Sequence, residues 1–135
     1  MDTEIYMEIT LFFDNNFDVY TIENILNLKP TDCKKQRETR MSPFNRTKHL
    51  EGYWTLASDT FYELDIKPAI DDLISKIGSK IKDIKQICEK NNGEVRFYIV
   101  PSFKSDCLPA MYFEKDFLEI VHELGATIDI DMYCN

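Results

Sequence analysis

The stretch Glu4-Ile5-Tyr6-Met7-Glu8-Ile9-Thr10-Leu11-Phe12-Phe13 decides how the rest of the chain is read. Ile5, Met7, Ile9, Leu11 and Phe13 fall on one side of an extended backbone, and Tyr6, Glu8, Thr10 and Phe12 on the other. Alternation at a period of two is the pattern of a strand with one buried face. The elements that cover that face have to come from downstream, because a sheet buries its apolar side only against another layer.

Outward from this strand, Asp14-Asn15-Asn16 has turn chemistry, and Asp18 is placed to cap a short helix with Val19, Ile22, Ile25 and Leu26 on one face. Lys29-Pro30 ends that helix, since the residue before a proline is pushed out of the helical region. Residues from Thr31 to Leu50 are polar, basic and aperiodic, with Pro43 among them; a short strand is expected at Asn45 to His49. Gly52 precedes Tyr53-Trp54-Thr55-Leu56-Ala57, which reads as a second strand with Trp54 and Leu56 on the same side, Trp54 as a packing residue.

Asp65 is placed to cap the longest element, a helix over Ile66 to Lys90 with Pro68 in its first turn. Ile66, Ile70, Leu73, Ile74, Ile77, Ile81, Ile84, Ile87 and Cys88 recur at three and four residues, an isoleucine stripe that suits either the core or a dimer seam. Gly78 marks a bend or a close approach within it. Asn91-Asn92-Gly93 stops the helix. Val95 to Val100 reads as a strand closed by Pro101, and Met111 to Phe113 as a short strand. Phe117, Ile120, Val121 and Leu124 define a last helix ended by Gly125, and Ala126 to Tyr133 alternates as a half-buried strand.

The interleaving predicts an α+β fold over residues 1–135 as a single domain, with one mixed, mostly antiparallel sheet and the helices packed on it. The first half, through Val100, suits a ferredoxin-like βαββαβ unit if the strand at Asn45 to His49 is real, followed by a C-terminal (β)αβ extension.

The composition is that of an ordinary globular domain, 44% apolar and 30% charged. The first residues lack a basic stretch leading into an apolar run, and no apolar stretch is long enough to span a bilayer, so a cytoplasmic protein without a membrane role is expected. Cys33, Cys88, Cys107 and Cys134 are not spaced as a zinc or redox motif and read as free thiols. A metal centre is hard to assemble from so few ligands, although Cys33, Cys107, Cys134 and His122 are candidates to meet in space.

The formal net charge of −8 is unevenly spread. Lys34, Lys35, Arg37, Arg40, Arg46 and Lys48 against Glu38 make one segment +5, which leaves −13 for the remainder. Such a field disfavours nucleic acid and favours basic partners, while the basic segment suits contact with an anion or an acidic partner. Phosphate loops, dinucleotide fingerprints, the zinc-protease helix and the nucleophile elbow are all missing, so no catalytic residue and no cofactor is assigned. Asp129 and Asp131 share one side of the last strand, about 7 Å apart. They suit a solvated face, a protein-binding surface with Tyr133 and Tyr53 as aromatic anchors, or a metal or acid pair.

Ile22 to Leu28 followed by Lys29-Pro30-Thr31, then Gly52-Tyr53-Trp54-Thr55-Leu56, the long helix, Leu124-Gly125-Ala126 and the ending Ile128-Asp129-Ile130-Asp131-Met132-Tyr133 together resemble the bacterial domain of unknown function 4279, over nearly the whole chain. The resemblance implies a bacterial, stand-alone cytosolic protein. By analogy with other small acidic bacterial domains, it suggests an immunity protein that neutralises a cognate toxin.

The leading expectation is a protein-binding domain that blocks a basic toxin or nuclease. The alternatives are a small enzyme or metal-dependent anion-binding domain using Asp129 and Asp131, and a structural or oligomerising module that uses the isoleucine stripe as a dimer seam; the chain is expected to be a monomer or a homodimer.

Overall fold

A computed structural model describes residues 3–14, 17–35, 39–41, 47–49 and 52–135, the segments 39–41 and 47–49 by their backbone. Strand β1 spans Glu4–Phe13, and a 3-10 turn at Val19–Thr21 leads into helix α1, Ile22–Leu26. Strands β2 (Asp32–Lys34), β3 (Thr39–Met41), β4 (Thr47–His49) and β5 (Gly52–Ala57) follow. Helices α2 (Lys67–Ile77) and α3 (Ile81–Asn91) precede β6 (Glu94–Phe103), and α4 (Lys115–Glu123) precedes β7 (Thr127–Ile130) and β8 (Tyr133–Cys134).

The main sheet is mixed and has six strands, in the order β2-β5-β1-β6-β7, with β8 also on β6. β1 lies at its centre, antiparallel to both β5 and β6. β2 runs antiparallel to β5, whereas β7 and β8 run parallel to β6 after the α4 crossover. The α+β class read from the sequence is the observed one.

The alternation in β1 is realised in full. Ile5, Met7, Ile9, Leu11 and Phe13 are buried and share one core with Trp54, Leu56, Val95, Phe97 and Ile99 of the neighbouring strands. Ile70, Leu73, Ile77, Ile81, Ile84 and Ile87 close over them. The isoleucine stripe is thus consumed by the sheet beneath it, which removes the residues a dimer seam needs. Phe117 of α4 meets Phe97 edge to face, with ring centroids 5.2 Å apart. No helix among the described residues is long and apolar enough to cross a membrane.

Several boundaries differ from the sequence reading. The long helix breaks at Gly78–Lys80 into a 3-10 turn, where glycine lowers helical stability. Nothing lies within 4 Å of a Cβ added at Gly78, so the glycine marks a bend and not a close approach. The strand at Thr47–His49 pairs with β3 in a separate two-stranded sheet, and β2 instead takes the edge beside β5; Asn45 and Arg46 lie outside the described residues, as do Asn15 and Asn16 of the expected turn.

Asp18 caps as expected, its Oδ1 accepting from the Tyr20 amide at 3.0 Å, but α1 already ends at Asn27, which is left-handed, and Ile25 points to solvent. Asp65 accepts from the Lys67 amide at 2.9 Å. Met111 to Phe113 form no strand; the bridge in that region joins Ala110 to Asp65.

Pro101 does not close β6, which continues to Phe103. The proline has instead a consequence on the next strand. Ile99 pairs with Ile130 and Ser102 with Tyr133 at one constant offset, so β7 and β8 are a single strand in register, interrupted at Asp131-Met132 opposite Val100-Pro101. Proline has no amide hydrogen to offer that ladder. Gly125 ends α4 with φ +59, the Ala126 amide reaching Val121 O and its own reaching His122 O, a Schellman stop.

Two glycines give opposite expectations. A Cβ at Gly93 would overlap the buried Phe13 ring, so Gly93→Ala is expected to lower stability by about 1–3 kcal/mol through overpacking. Gly78→Ala meets nothing and is expected to add about 0.4–1 kcal/mol. Urea denaturation of the two variants checks both signs.

Candidate functional site

The helices cover one side of the sheet, and the other side of β1 has no layer on it among the described residues. The strand registers place its side chains in rows. Asp32, Thr55, Thr10, Arg96 and Thr127 lie side by side across five strands. On one flank run Lys34, Tyr53, Phe12 and Glu94, and on the other Ala57, Glu8, Tyr98 and Asp129. Tyr6 pairs with Val100, while Glu4, Ser102 and Tyr133 form the last row.

This open face is acidic and aromatic. Glu4, Glu8, Asp32, Glu94, Asp129 and Asp131 stand against Lys34 and Arg96, with Tyr6, Phe12, Tyr53, Tyr98 and Tyr133 between them. Aliphatic side chains are confined to Ala57 and Val100 among the described residues of the face. A sheet face packed under a second layer is typically aliphatic; the described part of this one is polar and aromatic.

At its centre the short side chains of Thr10 and Thr55, 3% and 6% exposed, bond to each other at 2.9 Å. The longer residues around them leave a hollow of about 260 Å³ lined by Glu8, Thr10, Phe12, Thr31, Asp32, Tyr53, Thr55 and Tyr98. The Tyr53 hydroxyl donates to Asp32 Oδ2 at 2.7 Å. That bond to a carboxylate, with partial burial, pushes the Tyr53 phenol up to about 12, so it stays a donor at any physiological pH. Burial, with the nearby Asp32 charge, raises the Glu8 carboxyl above its ordinary value. Arg96 donates to the Tyr98 hydroxyl at 3.2 Å and lies over the rings of Phe12 and Tyr98, 5.4 and 5.8 Å from their centroids.

A second concavity lies on the helix side. It is a groove of about 340 Å³ between α2 and α4, floored by Ile70, Ile74, Phe117 and Ile120. Lys67 straps it, reaching Asp71 at 3.0 Å and Glu114 at 3.2 Å, so two of its rim carboxylates are already neutralised.

The residues singled out from the sequence are distributed as follows. Asp129, Asp131, Tyr133 and Tyr53 all reach the open face, but not as one cluster. The Tyr133 hydroxyl donates to Asp131 Oδ2 at 2.8 Å, and the Asp131 charge helps to raise the phenol of Tyr6 nearby, behind burial and Glu8. Tyr53 is three strands away, on β5. Lys34 lies on the open face at the β2 edge, and the Lys35 amide donates to the Tyr20 hydroxyl at 3.3 Å. Arg40 and Lys48 lie on β3 and β4, and Arg37 and Arg46 lie outside the described residues.

No three His, Cys, Asp or Glu side chains among the described residues come together as metal ligands, so the imagined meeting of Cys33, Cys107, Cys134 and His122 does not occur there. None of the four cysteines forms a disulfide, and the Cys88 thiol, buried and close to Glu89, is pushed up to about 12.

Sequence reasoning missed Glu8, Asp32 and Tyr98 as members of the site. The available signal was the outward side of β1, where a glutamate sits among aromatics and threonine. Asp32 gave none, because its place depends on β2 pairing with β5.

The family described as "Domain of unknown function (DUF4279)" matches residues 3–135, essentially the whole chain. The chain belongs to DUF4279. No curated protein and no solved structure matches it. The match takes in all the sheet and helix elements described here, so the open face is part of the DUF4279 domain itself and not of an appendage.

The Glu8 shift carries a sign. An acid whose folded-state pKa is raised holds its proton more tightly in the native state, so stability is greatest below the unfolded pKa and falls as pH rises through the folded one. Glu8→Gln removes that loss. The variant is expected to be more stable than the parent at pH 7, with the gap closing near pH 4, in thermal melts taken across that range.

Proposed function

We propose that this DUF4279 protein is a cytoplasmic protein-binding domain that presents the open face of its sheet to a basic partner. In its most specific form it is a bacterial immunity protein that blocks a basic toxin or nuclease. The observation that carries the reading is the composition of the face that no described element covers, with six carboxylates, two cations and five aromatic rings among the described residues. Complementary charge steers a basic surface onto such a face and rejects acidic ones. Half-buried tyrosines and a phenylalanine supply contact area at small entropic cost, which is why aromatics anchor interfaces.

Within that face, Asp129, Asp131 and Tyr133 offer an exposed acidic corner, and Tyr53 with Asp32 a pre-oriented polar anchor at the opposite side. The basic segment bearing Lys34, Lys35, Arg37, Arg40, Arg46 and Lys48 is assigned to contact with acidic groups of the same partner. The immunity role itself rests on analogy with small acidic domains of this kind.

The test is capture of the partner from the native cell, followed by affinity measurements on the purified pair. The triple change Asp129→Asn, Asp131→Asn, Tyr133→Ala is expected to weaken binding at least tenfold, about 1.4 kcal/mol. Binding of the parent is expected to fall steeply between low and high salt. Lys82→Ala and Glu89→Ala, on the exposed side of α3, serve as controls that leave affinity unchanged. A partner indifferent to the triple change and sensitive to the α3 controls contradicts this placement.

A further inference from the structure

The centre of the open face is a pit whose shape follows from side-chain length. Thr10 and Thr55 form its floor because their hydroxyls satisfy each other and leave nothing projecting. Glu8 and Tyr98 stand on one flank, Phe12 and Tyr53 on the other, and Asp32 with Thr31 at the β2 edge. The hollow measures about 260 Å³. Pockets that hold whole small molecules run from roughly 300 to 1,000 Å³ and are closed over most of the ligand. This one is open to solvent and of a size for a single side chain.

We propose that this pit receives one arginine side chain of a protein partner, its guanidinium held between the carboxylates of Glu8 and Asp32 and flanked by the rings of Phe12, Tyr53 and Tyr98. The proposal rests on the reading of the open face as a docking surface for a basic protein, and it names the anchor.

Three features select that occupant. Glu8 accepts no hydrogen bond and forms no ion pair among the described residues, and Asp32 is engaged there through Oδ2 by the Tyr53 hydroxyl, so acceptor capacity remains on both. A guanidinium has five donors in a planar fork and bridges two carboxylates better than an ammonium does. The walls are aromatic, and a planar cation gains from lying against such rings. Arg96 already makes that contact at the edge of the pit, over Phe12 and Tyr98.

Arg96 and, at the β2 edge, Lys34 oppose a second cation, and the six carboxylates described on the face outweigh the two. The same arrangement accounts for a carboxyl kept partly out of water with no partner among the described residues. Its cost in the free protein is offset when a cation arrives, and the cation in turn lowers the Glu8 pKa, so binding strengthens as pH rises through the acid range.

The experiment is a titration of the isotopically labelled full chain with acetyl-Gly-Arg-Gly-amide at low salt and pH 7, followed by amide NMR. The isosteric, uncharged citrulline peptide is run beside it. Saturable shifts are expected at Glu8, Thr10, Asp32, Tyr53, Thr55 and Tyr98, with affinity in the millimolar range and no response to citrulline. Glu8→Gln and Asp32→Asn are each expected to weaken the arginine peptide at least fivefold. Asp83→Asn with Glu89→Gln, on the exposed side of α3, removes as much charge from the opposite side of the sheet and is expected to change affinity less than twofold.

Equal binding of citrulline, shifts centred on Asp129 and Asp131, or an affinity unmoved by Glu8→Gln and Asp32→Asn would overturn the proposal. Because the probe is independent of any partner, a failed pit with intact charge-dependent partner binding leaves the docking face standing. Arginine binding in the pit without any basic partner for the face separates the two in the other direction.

Discussion

Strand β1 is hydrogen-bonded on both edges and buried on one face, and the remaining architecture adapts to it. Ile5, Met7, Ile9, Leu11 and Phe13 are each almost completely removed from water. At about 1.5–3 kcal/mol per fully buried large side chain, these five contribute roughly 8–15 kcal/mol of burial energy. A one-residue slip would exchange these five side chains for Tyr6, Glu8, Thr10 and Phe12, so the register is strongly fixed. All the described helices accordingly gather on one side, where Trp54, Phe97 and the isoleucines of α2 and α3 complete the same core.

The other side of the sheet is shaped by what that constraint leaves over. Residues between the buried ones of β1, β5 and β6 are obliged to face outward, and here they are acids, hydroxyls and aromatics. Their hydrogen bonds run among themselves, Thr10 to Thr55, Tyr53 to Asp32 and Arg96 to Tyr98, so the face is pre-ordered before anything binds. Glu8 is the exception, lifted in pKa by burial and by Asp32 and given no cation among the described residues. The broken edge at Asp131-Met132, opposite Pro101, adds a charged, discontinuous border that resists edge-to-edge pairing.

Much of this was legible in the sequence where a pattern repeats. The alternation of β1, the shared side of Trp54 and Leu56, the isoleucine stripe and the stops at Asn92 and Gly125 all follow from local chemistry, and local chemistry holds in the fold. Features that depend on distant pairing were not legible. β2 is three residues, Asp32, Cys33 and Lys34, too short to show a period, and it exists because β5 offers an edge. The run of β6 through Pro101 is possible because the missing amide hydrogen points to a neighbour that simply interrupts there.

The same division holds for the candidate site. Asp129, Asp131, Tyr133 and Tyr53 were readable as outward acids and aromatics, and they do lie on the face that no described element covers. The pit was not readable, since Glu8 and Asp32 approach each other only through the intervening β5.

The two-sided sheet is tested most directly by hydroxyl-radical footprinting of the free protein with residue-level mass spectrometry. The account predicts oxidation of Tyr6, Tyr53, Tyr98 and Tyr133 and protection of Met7, Trp54 and Phe97, although methionine and tryptophan are intrinsically the more reactive. Tyr53 and Tyr98 protected as completely as Phe97 would contradict it, because the face assigned to a partner would then already be covered.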